Sequence, residues 1–154
     1  MKVLVIYDSK TGNTEKMANA IAEGAKEAGA EVNIKKIGDP FPLKLLTEND
    51  GVVFGSPDWY ADVTHEMKDF LSHVEDYIKL GKMKTKGRKA GVFGSYGYDG
   101  AWVMEERFKG YIEALGYDVN PKICVKVDNE IKTRMKETLA ECKVWGREFA
   151  KSIK

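Results

Sequence analysis

The chain has 154 residues, of which 43% are hydrophobic and 32% charged, enough for one ordinary domain with its own core. A formal net charge of +1 gives no general attraction to polyanions, so nucleic acid is not an expected partner. No apolar run approaches membrane-spanning length and the amino terminus enters a strand without a signal peptide, so the expected setting is the cytoplasm, with no membrane insertion.

Val3-Leu4-Val5-Ile6 reads as a strand buried on both faces, and Met17, Ala18, Ile21, Ala22 and Ala25 then recur at helical spacing up to Gly29. Residues 31–37 alternate like an edge strand, and a short helical turn fits after Pro42. Gly51–Gly55 is a third strand, followed by a helix marked by Val63, Met67, Phe70, Leu71, Val74 and Ile78. Ala90–Gly94 is the fourth, and its helix carries Val103, Phe108, Ile112 and Leu115 and stops at Gly116. Residues 117–127 predict an uninterrupted fifth strand, and Ile131, Met135, Leu139, Cys142, Trp145 and Phe149 a single long closing helix. Cys124 and Cys142 are spaced for neither a zinc site nor a CxxC pair and read as two buried thiols.

Strands alternating with helices imply a doubly wound α/β fold: a five-stranded parallel sheet with helices on both faces, one domain over 1–154. Ligands of such sheets sit beyond the carboxyl ends of the strands, where the winding reverses. That rule selects SKTGNT, SPDWYAD and SYGYDG, the segments after strands one, three and four. Trp59, Tyr60, Tyr96 and Tyr98 lie in two of them, and large aromatics gathered on one rim mark a surface meant to be covered.

Ser9-Lys10-Thr11-Gly12-Asn13-Thr14 joins a strand to a helix N-terminus, where open amides and the helix dipole favour an anion. It is too short for GxxxxGK[ST] and lacks GxGxxG, so a single terminal phosphate fits better than a triphosphate or a dinucleotide. Ser, Thr and Asn are also ordinary caps, and the residues alone leave open whether Thr11 or Asn13 merely caps the helix.

With those residues in view, the whole chain resembles the flavodoxins, in their short-chain branch. SKTGNT followed by Met17 and Ala18 is similar to their phosphate-binding signature. GSPDWYADVTHEMKDFL and FGSYGYDGAWVMEERF are similar to their flavin loops, especially those of the flavin domain of flavodiiron proteins. The resemblance implies the strand order 2-1-3-4-5 and an FMN-binding, low-potential electron carrier with no catalytic residues or metal of its own. It implies a phosphate held by Ser9, Thr11, Gly12, Asn13 and Thr14, beside Lys10, and a ring lying between Ser56, Pro57, Asp58, Trp59 and Tyr60 and the loop Ser95, Tyr96, Gly97, Tyr98, Asp99 and Gly100. Tyr98 is then the outer stacking aromatic, and Trp59 or Tyr60 the inner one. The second loop has no glycine, which implies a narrower separation of the two one-electron potentials than in most of the family.

Asp8, Asp39, Asp58, Asp62, Asp99, Asp128 and Glu130 face only Lys10 at the expected cofactor end, while residues 79–89 carry six bases and no acid at the other. This polarity implies that the flavin edge of a monomeric carrier docks on basic patches of other redox proteins. The alternatives are a flavodoxin-like NAD(P)H/quinone reductase, for which the chain has no room for a substrate-pocket insertion, and a stand-alone flavin module serving a flavodiiron-type partner. A phosphoaccepting receiver domain is set aside because Phe54-Gly55-Ser56 stands where its aspartate belongs.

Overall fold

Period-two alternation decides which side of the sheet each core residue reaches. The strand β1 (Lys2–Tyr7) sends Val3, Val5 and Tyr7 to one face and Leu4 and Ile6 to the other, and all five are buried. Val53 of β3 (Gly51–Pro57) and Phe93 of β4 (Lys89–Tyr96) join the first group, and Val52, Phe54 and Val92 the second. The computed structural model describes residues 1–97 and 101–153, with backbone alone for 101 and 102.

Both faces need a cover, and each receives two helices with one apolar stripe apiece. The first face lies under α1 (Asn13–Glu27) and α6 (Met135–Ser152), through Met17, Ile21, Cys142, Trp145 and Phe149. The second lies under α3 (His65–Lys79) and α4 (Ala101–Ala114), through Met67, Leu71, Val74, Met104, Phe108 and Ile112. Each fully buried aliphatic or aromatic side chain contributes about 1.5–3 kcal/mol. The strand β2 (Glu31–Lys36) is the wetter edge, and the turn after Pro42 is the short α2 (Leu45–Glu48).

All pairings are parallel, in the order β2-β1-β3-β4 with a fifth position beside β4, which is the doubly wound order expected. That fifth position is not one strand. It is filled by β5 (Asp118–Val119) and β6 (Cys124–Val127), and four residues, 120–123, face only two of β4. Pro121 stands in the interruption, where its missing N–H removes nothing from the ladder. The closing helix is also divided: α5 (Asp128–Thr133) stops at Arg134, and α6 starts afresh.

α1 and α6 touch through glycines. A Cβ on Gly146 would lie 2.2 Å from the Ile21 carbonyl oxygen, and one on Gly24 only 1.8 Å from that of Lys143. Among the described residues no helix is long and apolar enough to cross a membrane.

Candidate functional site

Ten polar residues are buried among those described, and seven of them gather at the carboxyl rim of β1, β3 and β4: Asp8, Ser9, Asn13, Thr14, Ser56, Thr64 and Ser95. Burying polar groups costs stability unless they are paired, so their pairing identifies what the rim is built to do. Much of it runs between loops. Thr14 Oγ1 and Ser95 Oγ are 2.8 Å apart and join the first loop to the third. The Asp58 amide donates to the Ser95 carbonyl at 2.7 Å and joins the second to the third. The Thr64 hydroxyl donates to Asp8 Oδ2 at 2.6 Å while accepting from the Met67 amide at 3.2 Å, so the cap of α3 also ties it to the end of β1.

The first loop enters α1 through Gly12, whose φ of 96° is one that glycine adopts freely. No side chain caps this helix at its N-cap. The Ser9 hydroxyl instead accepts from the Gly12 amide at 3.1 Å and, at a longer 3.4 Å, from that of Glu15. Among the described residues no acceptor meets the amides of Thr11, Asn13 and Thr14. Neither Thr11 nor Asn13 therefore serves as the cap, and the cup keeps open donors at the positive end of a helix dipole. The Lys10 ammonium lies 3.4 Å from Asp8, 3.1 Å from Glu66 and 5.7 Å from the centre of the Trp59 ring. Burial works against its charge, but Glu66 and Asp8 outweigh that and raise its pKa.

The second loop contains a feature that residue types did not announce. Tyr60 and Ala61 have φ of 54° and 62°, between a Trp59 and an Asp62 whose amides and carbonyls bond reciprocally at 2.7 and 3.1 Å. Positive φ at both central residues is the signature of a type I′ turn, normally given to Asn and Gly and resisted by other residues at about 1–2 kcal/mol each. The strain lies there. It presents Trp59 at 40% exposure and Tyr60 at 97%.

Asp62 holds the turn from behind. Its carboxylate meets Lys68 Nζ at 2.6 Å, the Val63 amide at 2.8 Å and the Tyr111 hydroxyl at 3.1 Å, with Arg107 at 3.9 Å. Burial pushes this carboxyl up, yet the Lys68 ammonium, the Val63 amide and the Tyr111 hydroxyl together hold it below its ordinary 3.8. A depressed carboxyl contributes stability that is complete above its unfolded pKa and lost as the pH falls through the folded one. Asp62→Asn is thus expected to cost about 1 kcal/mol at pH 7, with the gap to wild type closing below pH 3.8. Urea unfolding at pH 7 and pH 3 measures this, and a gap that stays constant would contradict it.

The predicted residues therefore divide. Ser9, Lys10, Gly12, Asn13, Thr14, Ser56, Asp58, Trp59 and Ser95 are brought to one rim, with Thr11 and Tyr60 on its exposed margin, and Pro57, Tyr96 and Gly97 close the strand ends. Tyr98, Asp99 and Gly100 lie outside the described residues. Asp8 and Asp62, counted as free acids of a docking edge, are committed to internal bonds. Thr64 was missed, although a threonine before the helical run at 65–79 is an N-cap signal.

The sequence profile of the flavodoxin family matches residues 5–141. The chain belongs to the flavodoxin family. It is 34% identical over 151 residues to the flavodoxin of Megasphaera elsdenii, covering 97% of this chain and 99% of that one. A match to the flavodoxin of Clostridium saccharobutylicum, at 37% identity over 84 residues, spans 54% of this chain and about half, 52%, of that protein. Among solved structures, a flavodoxin from the domain Archaea superposes with a TM-score of 0.83 at 25% identity, over 99% of both chains. Family membership implies a flavin cofactor. The donor set fits one: neutral hydroxyls and main-chain amides suit a terminal phosphate, and the two further loops bring aromatics beside it.

Proposed function

We propose that the chain, as one domain over 1–154, binds one FMN across the three loops and carries electrons between redox proteins of the cytoplasm. The observation that carries this reading is the convergence of open amides at Thr11, Asn13 and Thr14 with seven buried polar residues at the winding reversal. Ser9, Thr11, Gly12, Asn13 and Thr14 would hold the phosphate, with the Lys10 charge beside them. Ser56, Pro57, Asp58, Trp59 and Tyr60 would flank the ring on one side, and Ser95, Tyr96 and Gly97, continuing into Tyr98, Asp99 and Gly100, on the other.

When bound, FMN supplies reversible one- and two-electron transfer. The protein's part is to orient and shield it. Stacked aromatic faces and nearby carboxylates disfavour added negative charge, which lowers the potential at which the last electron enters. Asp39, exposed beyond the carboxyl end of β2, would be among the acids that meet a basic patch on the partner. The six bases of residues 79–89 lie at the opposite rim, up to the first residue of β4, and four are engaged locally: Lys79 pairs with Glu75 at 3.4 Å, Lys82 lies 5.4 Å from the centre of the Tyr77 ring, Lys89 pairs with Asp118 at 2.5 Å, and Arg88 donates to the Asn49 carbonyl at 3.1 Å.

Purified protein with stoichiometric flavin and slow NAD(P)H oxidation is the expected result for a carrier. Rapid turnover between a nicotinamide and quinones would make it a reductase instead. Rates of partner reduction should fall as ionic strength rises, and rates insensitive to salt would remove the acidic docking edge from the account.

A further inference from the structure

The two cysteines of the chain, 18 positions apart, are brought to 3.7 Å between their sulfurs. Cys124 opens β6 directly after the four-residue interruption, and Cys142 lies on the buried stripe of α6. Both are free thiols, and neither takes part in the proposed FMN site. Lys126, two positions after Cys124, and Glu141, the residue before Cys142, form a second tie between the same strand and helix, their charges paired. The Cys124 thiol donates toward Cys142 and holds it below the ordinary thiol value, with the Lys126 charge acting in the same direction.

We infer that Cys124 and Cys142 are a dithiol–disulfide couple, a modification site that a hydroperoxide closes and a small thiol reopens. Three structural features support it. A disulfide needs its sulfurs at about 2.05 Å, so they must approach further, and one side of the pair has room to move. The segment β6 is held by β4 on one edge only, and the mismatch at 120–123 uncouples its register from β5. A cavity of about 360 Å³ lies against it, with Cys124, Lys126, Glu141 and Trp145 among its lining residues, and brings a small oxidant up to Cys124. The Lys126 ammonium near the pair favours the thiolate, which is the reactive form.

The chemistry balances with hydrogen peroxide as the hydroperoxide. The thiolate of the pair attacks one peroxide oxygen, the O–O bond breaks, and the departing hydroxide takes the proton released by that thiol and leaves as water. The sulfenic acid so formed is attacked by the second sulfur, the S–O bond breaks, and the second thiol's proton leaves with that oxygen as water. Two thiols and one peroxide become one disulfide and two waters. The product staples β6 to α6, and β6 ends at Val127, which pairs with Tyr96 at the start of the third loop.

The test is made on the purified wild-type chain, exposed to hydrogen peroxide, quenched with an alkylating agent and then denatured. The expected outcome is a fall from two titratable thiols to none, an intact mass lower by two hydrogens, a cross-linked Cys124–Cys142 peptide, and recovery of both thiols with dithiothreitol. Cys124→Ala and Cys142→Ala should each instead gain oxygen on the remaining sulfur. Two thiols surviving peroxide in the wild type, oxygen added to each sulfur separately, or a bridge between two chains would each overturn the inference. The wild-type measurement stands even if a variant fails to fold, and it does not depend on FMN binding.

Discussion

Gly146→Ala is expected to destabilise the fold by about 2 kcal/mol, and Gly24→Ala by at least as much. At an exposed position in a helix the same change would stabilise by about 1 kcal/mol, because glycine is the poorer helix former. The sign is therefore diagnostic. The added methyl would sit 2.2 Å from the Ile21 carbonyl oxygen and 2.8 Å from its carbon. These are main-chain atoms, so no rotamer change relieves the contact and the helices must separate. Overpacking of this kind costs about 1–3 kcal/mol and more where backbone must shift. At the other contact the Lys143 oxygen would lie at 1.8 Å. One separation of α1 from α6 relieves both clashes, so the double variant should lose less than the sum of the two. Urea denaturation measures all three, and a raised midpoint for either single variant would contradict the packing described.

Thr11→Asp is expected to weaken FMN binding on the order of 100-fold while leaving riboflavin, which lacks the phosphate, within about threefold of wild type. Thr11 is exposed and precedes the N-cap of α1, so the substitution should leave the fold intact. A carboxylate near a helix N-terminus is even mildly stabilising. A second anion is a different matter in a cup that holds a phosphate. At a separation of a few ångströms and an effective dielectric of about 20, the repulsion is about 3 kcal/mol, equivalent to roughly a hundredfold in affinity. Fluorescence titration with both flavins decides it. Equal losses for the two would show that the first loop does not hold the phosphate.

How far the sequence reached depends on the range of the interactions involved. Val3-Leu4-Val5-Ile6 announced a strand buried on both sides, because consecutive side chains reach opposite faces, and both faces proved to be packed. The order of the sheet came from the resemblance to the flavodoxins, because right-handed crossovers alone allow several orders. The break in the fifth position was legible, since Pro121 lies inside residues 117–127 and proline interrupts a paired strand, but the apolar run after it masked the signal. Nothing in residues 128–152 marks the division at Arg134, where neither glycine nor proline stands. Long-range facts were the least accessible. The facing of Gly24 and Gly146, the contact of Cys124 with Cys142, and the inward turn of Asp62 toward Lys68 and Tyr111 each join segments that no local pattern connects. The I′ turn at Tyr60 and Ala61 contradicts local preference, and such contradictions collect at functional rims.

The account rests on the three loops acting as one flavin site, and calorimetric titration of the flavin-free protein with FMN tests that most directly. A single saturable transition at one FMN per chain, much tighter than that of riboflavin, is the result the account predicts. A flavin-free protein that takes up no FMN, or binds the two flavins equally, would contradict it.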